Sequence, residues 1–431
     1  MSFKFLHASD LHLDTPFEGI KVFDPKISEM LKDASIKAWE RLVDLAIAKD
    51  VDFVLLAGDI YDGTFRGVRA RSRLLAGLRK LSEDGIKVFI VQGNHDPVDE
   101  GGLIPKDQEI EGVYVFPPRT SHRVAFSAKD GDSVEIHGVS YGSRSETEDL
   151  STYLEQPSHN GFSIALLHAS VGGDPNHEPY SPTTVRKLES LGFDYYALGH
   201  IHTRQLLSTD PLIVYSGNSQ GRSPKPSELG LKGCYEVNVD RNSAPVLTFY
   251  QLGPIVFDHI VVDIADSDSF EDIGDSLATA AERLMVSKYM DTDTTTVVLR
   301  ATLSGSYLET RIDEDRLIEE LNEHLTDPRN EIPIIVTSIR LEQSTKNDQI
   351  NDAAGMAINS LTTLRKTEPQ LENRLVHECL QELGNTSFAP LGAYVIRLLD
   401  DETARSELVQ TVQNKVEALL QEQFRYNSQD Q

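Results

Sequence analysis

Short apolar runs, most of them closed by a polar residue, recur through the first 250 positions of the chain. Residues 3–8, 51–57 and 86–91 are such runs, and continuous apolar segments of this length mark strands buried on both faces. Between them the apolar positions shift to helical spacing. Asp24-Pro25 reads as a helix start, with a capping Asp and a Pro at the first turn. Ile27, Leu31, Ile36, Trp39, Leu42, Leu45 and Ala46 follow at that spacing, and in residues 69–81 Leu74, Leu75, Leu78 and Leu81 share one side. Strand-like runs return at 113–116, 123–126, 134–140, 162–167, 194–198, 212–215, 233–239 and 246–251. Strand–helix–strand units followed by many strands predict an α+β fold built as a four-layer αββα sandwich.

The pattern changes near Gly253-Pro254. Strand 255–264, helix 269–289, strand 294–303, helix 313–325 and strand 332–341 make a small β-α-β-α-β unit. A polar stretch at 343–348 then leads into helical segments 350–365, 369–383, 392–399 and roughly 402–424. The expected organisation is a first domain over 1–253, an α/β capping domain over 254–345 and a C-terminal helical region over 346–431. In the last helix Leu408, Val409, Val412, Val416, Leu419, Leu420 and Phe424 form one stripe, which either packs on its own chain or docks a partner.

Composition narrows the setting. The two cysteines, Cys234 and Cys379, are far apart and form no CxxC pair, which fits a reducing compartment and excludes a cysteine-based zinc site. No apolar stretch approaches the ~20 residues that cross a bilayer. The N-terminus lacks a charged segment followed by an apolar one, so no signal peptide is expected; the expected location is the cytoplasm, away from membranes. Net charge is −27, and most of the excess lies in residues 251–431, with 15 Lys and Arg against 33 Asp and Glu. That acidity weighs against strong free binding to nucleic acid, where phosphate contacts dominate affinity.

Candidate chemistry sits where the apolar runs stop. Five signatures occur in order: Asp10-x-His12, Gly58-Asp59-x-x-Asp62, Gly93-Asn94-His95-Asp96, His168, and Gly199-His200-Ile201-His202. Loops after strand ends are where α/β layers put ligand groups. Each signature alone is weak, but all five in one domain are specific. Asp, His and Asn offer oxygen and imidazole nitrogen, donors that suit Mn²⁺, Fe²⁺ or Zn²⁺. Two such ions need a shared carboxylate, and Asp59 is the natural bridge because Gly58 allows a sharp turn at its strand end. A pair of cations acidifies a shared water and neutralises phosphate oxygens, so the set suits hydrolysis of a phosphoester. His95 is the candidate proton donor, with Asp96 beside it to hold the imidazole charged. Asp14 and Asp62 either support a ligand from behind or are solvated carboxylates. The stretch 66–73, with Arg66, Arg69, Arg71 and Arg73, either steers phosphate or is a solvated face paired with acids. His122, His137, His159 and His177 read as structural or surface residues.

These residues resemble the calcineurin-like metallophosphoesterase family over roughly the first 220 positions. The strings Ala8-Ser9-Asp10-Leu11-His12-Leu13, Ala57-Gly58-Asp59-Ile60-Tyr61-Asp62 and Ala197-Leu198-Gly199-His200-Ile201-His202 look like the SbcD-type nucleases. The run His7-Ala8-Ser9-Asp10-Leu11-His12-Leu13-Asp14-Thr15-Pro16-Phe17 is similar to the YhaO-type branch, a group read as DNA-repair exonucleases. The resemblance implies one metal on Asp10, His12, Asp59 and His202, and another on Asp59, Asn94, His168 and His200. It implies His95 as acid or transition-state stabiliser with Asp96 behind it, and Mn²⁺ as the usual ion. Phosphoprotein phosphatases of the superfamily follow GDxxD with Arg-Gly and GNH with Glu; here Gly63-Thr64 and Asp96 stand there. Purple acid phosphatases have a Tyr where this chain has Asp62, so an iron–tyrosinate centre is not expected.

The resemblance therefore implies a two-metal DNA phosphodiester hydrolase, a 3′ to 5′ exonuclease and/or single-strand endonuclease. Its implied partners are DNA, an SMC-like coiled-coil ATPase gripped by C-terminal helices, and a second copy of the chain. The alternative is a phosphodiesterase or phosphatase on small nucleotides or other small phosphoesters, which the acidity favours. A scaffold subunit with a silent metal site is a third class.

Overall fold

The computed structural model describes residues 2–15, 25–63, 67–120, 122–158, 160–172, 180–240, 243–264, 267, 269–305, 313–326 and 330–343. The expected helical region 346–431 and its apolar stripe lie outside these residues, as do Asp24, Arg66, His159 and His177. The chain divides into two compact units, residues 1–303 with 309–341 and residues 304–308 with 342–431. The second falls almost wholly outside the described residues.

The first unit runs β1 (Ser2–Ala8), α1 (Pro25–Ala48), β2 (Phe53–Ala57), α2 (Val68–Glu83), β3 (Lys87–Val91), β4 (Val113–Val115), β5 (Arg123–Ser127) and β6 (Ser133–Val139). It continues through β7 (Phe162–His168), α3 (Val185–Leu191), β8 (Tyr195–Gly199), β9 (Gln205–Thr209), β10 (Leu212–Tyr215), β11 (Gly233–Asp240) and β12 (Ser243–Gln251). Then come β13 (Ile255–Asp263), α4 (Phe270–Lys288), β14 (Thr296–Gly305), α5 (Glu314–Leu325) and β15 (Ile334–Gln343). Two elements were not expected from the sequence. The edge strand β9 is short and half-exposed, and α3 is only seven residues, set by a Thr184 cap on Lys187 N–H and left-handed Gly192 after it.

Two six-stranded sheets, ordered β12-β11-β1-β2-β3-β4 and β5-β6-β7-β8-β10-β9, stack face to face. Strands β1 to β4 are parallel, as are β6, β7, β8 and β10. Period-two alternation sorts their side chains into layers. Phe5, Phe53, Leu55, Phe89 and Val91 face the second sheet and meet Ile136, Ile164, Leu166, Ala197 and Val214. Leu6, Val54, Leu56, Val88 and Ile90 point the other way, onto Trp39 and Leu42 of α1 and Leu74 and Leu78 of α2. Each such buried side chain contributes about 1.5–3 kcal/mol against the cost of ordering it. On the outer face of the second sheet, Ala165, Leu167, Leu198 and Ile213 pack with Leu188 of α3 and Phe193. This is the αββα sandwich, with a thin fourth layer.

The third sheet, β13-β14-β15, carries α4 and α5, the element order read from the sequence. Ser269 caps α4 by accepting from Asp272 N–H, and Asp313 caps α5 by accepting from Arg316 N–H. Ile255, Phe257, Val298 and Ile335 of this sheet pack on Leu31 and Ala34 of α1. One helix thus serves both the sandwich, through Trp39 and Leu42, and the smaller sheet, through its earlier turns. No described helix is long and apolar enough to cross a membrane.

Candidate metal centre

Parallel strands in both sheets deliver their C-terminal ends to one edge of the sandwich. The loops that leave them are zipped together by backbone. Asp10 N–H donates to Gly58 carbonyl at 3.0 Å, His12 N–H to Asp59 carbonyl at 3.0 Å, and Gly63 N–H to His95 carbonyl at 3.0 Å. His200 N–H reaches the Asp10 carboxylate at 3.2 Å, which ties the two sheets together at the site. Four of the candidate residues adopt positive φ: Asp10 at 51°, His12 at 43°, Asp59 at 50° and His200 at 100°. Non-glycine residues hold such angles at a cost, and concentrated strain of this kind is characteristic of functional sites. At Gly93 a Cβ would lie 2.2 Å from Asp59 Oδ1, so only glycine lets these two loops approach.

Besides His12, Asp62 and His95 at the mouth, the expected ligands gather into two overlapping groups. Asp10, His12 and His202 offer ligand atoms within 4.8 Å of one another, and so do Asp10, Asp59 and His168. Asp59 Oδ2 lies 3.9 Å from His12 Nε2 and 3.3 Å from His168 Nε2, so this oxygen faces a histidine of each group. Asn94 Oδ1 is 3.0 Å from His168 Nε2, and the His200 ring lies 5.3 Å from the His168 ring, centroid to centroid. All seven expected ligands therefore converge. Asp10 belongs to both groups, a sharing expected of Asp59 alone.

Tautomers are set from behind. His168 Nδ1 donates to Ala57 carbonyl at 2.8 Å, and His202 Nδ1 donates to Glu228 Oε1 at 2.6 Å. In each, Nε2 is the nitrogen turned into the site, and it offers a lone pair once a cation displaces its proton. His12 Nε2 and His202 Nε2 sit 3.3 Å apart with Asp10 Oδ1 3.8 Å from the latter. Two converging imidazole nitrogens beside buried carboxylates are a donor set that fits Mn²⁺, Fe²⁺ or Zn²⁺. Burial opposes charge on His168, but the adjacent Asp59 outweighs it and lifts the pKa to about 9. Burial raises and the His168 charge lowers the Asp59 pKa, and the net shift is strongly downward. The carboxylate is ionised in advance of any ion.

His95 stands at the mouth, 40% exposed, its ring 5.0 Å from that of His12. Here the structure corrects the sequence reading. The carboxylate on His95 Nδ1 is Asp62, at 2.5 Å, and not Asp96. Asp96 is fully buried and accepts from the backbone N–H groups of Ile60, Tyr61 and Gly93 at 2.8, 3.1 and 2.9 Å, so it staples the two loops. Neighbours in sequence point apart, whereas Asp62 comes from the adjacent strand end. Burial lowers the His95 pKa, but Asp62 and Asp59 override it and the net shift is upward, which keeps the imidazole in its donor form. Of the two carboxylates left open, Asp62 joins the site; Asp14 directs its backbone N–H to Ser35.

Sequence reasoning missed Glu228, Asn218 and Arg222. Glu228 orients His202 with one oxygen and accepts from Asn218 Nδ2 at 2.7 Å with the other. No motif marks it, because its place depends on a turn at Pro226–Glu228 that returns to the site. The basic stripe of α2 is partly neutralised, since Arg69 pairs with Asp33 and Arg73 with Glu40. His137 is a buried residue packed on the Phe193 ring at 4.9 Å, as a structural role requires.

Comparison with known proteins agrees with this geometry. The sequence model of the calcineurin-like phosphoesterase family matches residues 3–204. The chain is 31% identical over 346 residues to the "Uncharacterized metallophosphoesterase YhaO" of Bacillus subtilis, covering 80% of this chain and 82% of that one. It is 30% identical over 213 residues to the "DNA double-strand break repair protein Mre11" of Saccharolobus solfataricus, about half of each chain (48% and 51%). A dimetal phosphatase from Danio rerio aligns over 58% of this chain and 99% of its own, at 14% identity and a TM-score of 0.34, a likeness too distant to argue from. With the converging carboxylates and imidazoles in place and a relative matched over most of both chains, this protein belongs to the calcineurin-like phosphoesterase family of metal-dependent hydrolases.

Proposed function

We propose that the protein is a Mn²⁺-dependent DNA phosphodiester hydrolase, a 3′ to 5′ exonuclease and/or single-strand endonuclease acting in the cytoplasm in DNA end processing and repair. The observation that carries the chemistry is the meeting of two carboxylate–imidazole groups and the His95 proton donor at one opening. The likeness to Mre11 proteins directs that chemistry to DNA. In this reading one cation takes Asp10, His12, Asp59 and His202, and the other Asp59, Asn94, His168 and His200. A pair of divalent ions supplies, when bound, an activated water and charge neutralisation for the phosphate. His95, partly exposed at the opening, faces the phosphate. The water loses one proton to solvent before attack; as its oxygen adds to phosphorus and the P–O bond to the leaving group breaks, His95 gives its Nε2 proton to the leaving oxygen and regains one from solvent, with Asp62 stabilising the imidazolium. By the same reading residues 346–431 dock an SMC-like coiled-coil ATPase, and the chain pairs with a second copy.

A second reading, hydrolysis of small phosphoesters, is favoured by the net charge of −27 and by the pairing of Arg69 and Arg73 with acids. One assay separates the two: Mn²⁺ titration side by side on end-labelled duplex DNA, single-stranded DNA and bis-p-nitrophenyl phosphate. The nuclease reading predicts Mn²⁺-dependent degradation of at least one DNA form. Turnover of the small ester with both DNAs intact would transfer the assignment to the second reading.

A further inference from the structure

The segment after β10 that brings Glu228 to the site also brings Arg222, which lies in none of the five signatures. The segment is firmly held. Gln220 exchanges two hydrogen bonds with Ile255 backbone, at 2.7 and 3.2 Å, and Asn218 Nδ2 donates to Gln220 carbonyl at 2.8 Å. Arg222 N–H donates to Glu228 Oε2 at 3.0 Å. Its Nη1 donates to Asp62 Oδ2 at 2.9 Å, while the other oxygen of Asp62 accepts from His95 Nδ1 at 2.5 Å. One carboxylate thus fixes a guanidinium and the proton-donating imidazole side by side. The guanidinium is close enough for its charge to act on His12, His95 and Glu228. Its side chain is 17% exposed, so it is largely removed from bulk water yet reachable. Its Nε–H is buried with no partner among the described residues.

A planar guanidinium fixed by Asp62 yet partly exposed, beside both the proton donor and the candidate ligands, matches a tetrahedral phosphate. We propose that Arg222 binds a non-bridging oxygen of the substrate phosphate, and that Asp62 is the positioning residue that sets its distance from His95. This deepens the hydrolase reading and rests on it. Arg222 then holds the phosphate while charge builds on its oxygens, and His95 protonates the leaving oxygen from a fixed neighbouring position.

The test uses the full chain with Mn²⁺ and variants Arg222→Ala, Arg222→Gln and Arg222→Lys, each checked by melting temperature. Hydrolysis of bis-p-nitrophenyl phosphate and competitive inhibition by inorganic phosphate are measured. The expected result is a loss of kcat/KM of roughly 100-fold or more in the Ala and Gln variants. Phosphate inhibition weakens by about tenfold, Lys recovers only part of the loss, and added guanidinium ion at sub-denaturing concentration rescues the Ala variant. A purely structural arginine would move neither phosphate inhibition nor guanidinium rescue. The proposal is overturned if the variants stay within about threefold of wild type in kcat/KM and phosphate inhibition. It is overturned equally if folded Ala loses activity without rescue and with phosphate inhibition unchanged. If Ala and Gln fail to fold, the Lys variant decides, and wild-type phosphate inhibition in it counts against the proposal. Should wild type hydrolyse no ester, the hydrolase reading fails, and calorimetric phosphate binding in Mn²⁺, wild type against Arg222→Gln, still decides on Arg222.

Discussion

Asp62 is the residue on which the proton economy of the centre turns. It bonds His95 with one oxygen and Arg222 with the other, and both partners keep it ionised, so its pKa moves down despite the upward pull of burial. Asp62→Asn would keep the shape and remove the charge. The His95 pKa then falls, and because the leaving group needs a protonated donor, the alkaline limb of the kcat/KM profile moves to lower pH. A pH–rate profile of the variant with the limb unmoved would remove His95 as the acid. The residues that gather at the candidate centre were legible in the sequence because each lies in a short signature where an apolar run stops. Asp62, Glu228 and Arg222 were obscure for a physical reason: each acts on a residue between 26 and 160 positions away, and only tertiary approach brings them together. Asp96 was misassigned because adjacency in the chain says nothing of side-chain direction.

At the scale of elements, strand β1 shows how a strand serves two layers. Leu6 goes to the helix side and Phe5 to the sheet side, and His7, between the sheets, bonds Tyr195 Oη at 2.9 Å and Leu198 carbonyl at 3.2 Å. Burial holds the His7 pKa down to about 3, so the ring is neutral, with Nε2–H donating and Nδ1 accepting. The unfolded chain takes up a proton near pH 6.5 that the fold excludes. Stability is therefore complete above that pH and falls as pH drops towards 3, on the order of 1 kcal/mol per unit. In urea melts between pH 7 and 5, the stability advantage of wild type over His7→Gln should narrow with that slope; a constant gap would show that His7 charges without penalty. The strands and long helices were readable because burial on one or both faces imposes period two or 3.6. β9 and α3 were not, since a half-exposed edge strand and a two-turn helix carry too few buried positions to set a period.

Over the whole first unit, α1 and the segment after β10 join the small sheet to the centre. Leu31 and Ala34 of α1 pack on Phe257 and Val298, and Gly230 N–H donates to Phe257 carbonyl at 2.8 Å. The small sheet thereby braces the segment that carries Arg222 and Glu228, although it contributes no residue to the cation groups. The account as a whole stands on two ions held around Asp59, and anomalous scattering from crystals of the full chain grown with Mn²⁺ tests it most directly. The prediction is a pair of peaks about 3.5–4 Å apart, one against Asp10, His12 and His202, the other against Asn94, His168 and His200, with Asp59 touching both. A single peak, or a pair that leaves Asp59 untouched, would contradict it.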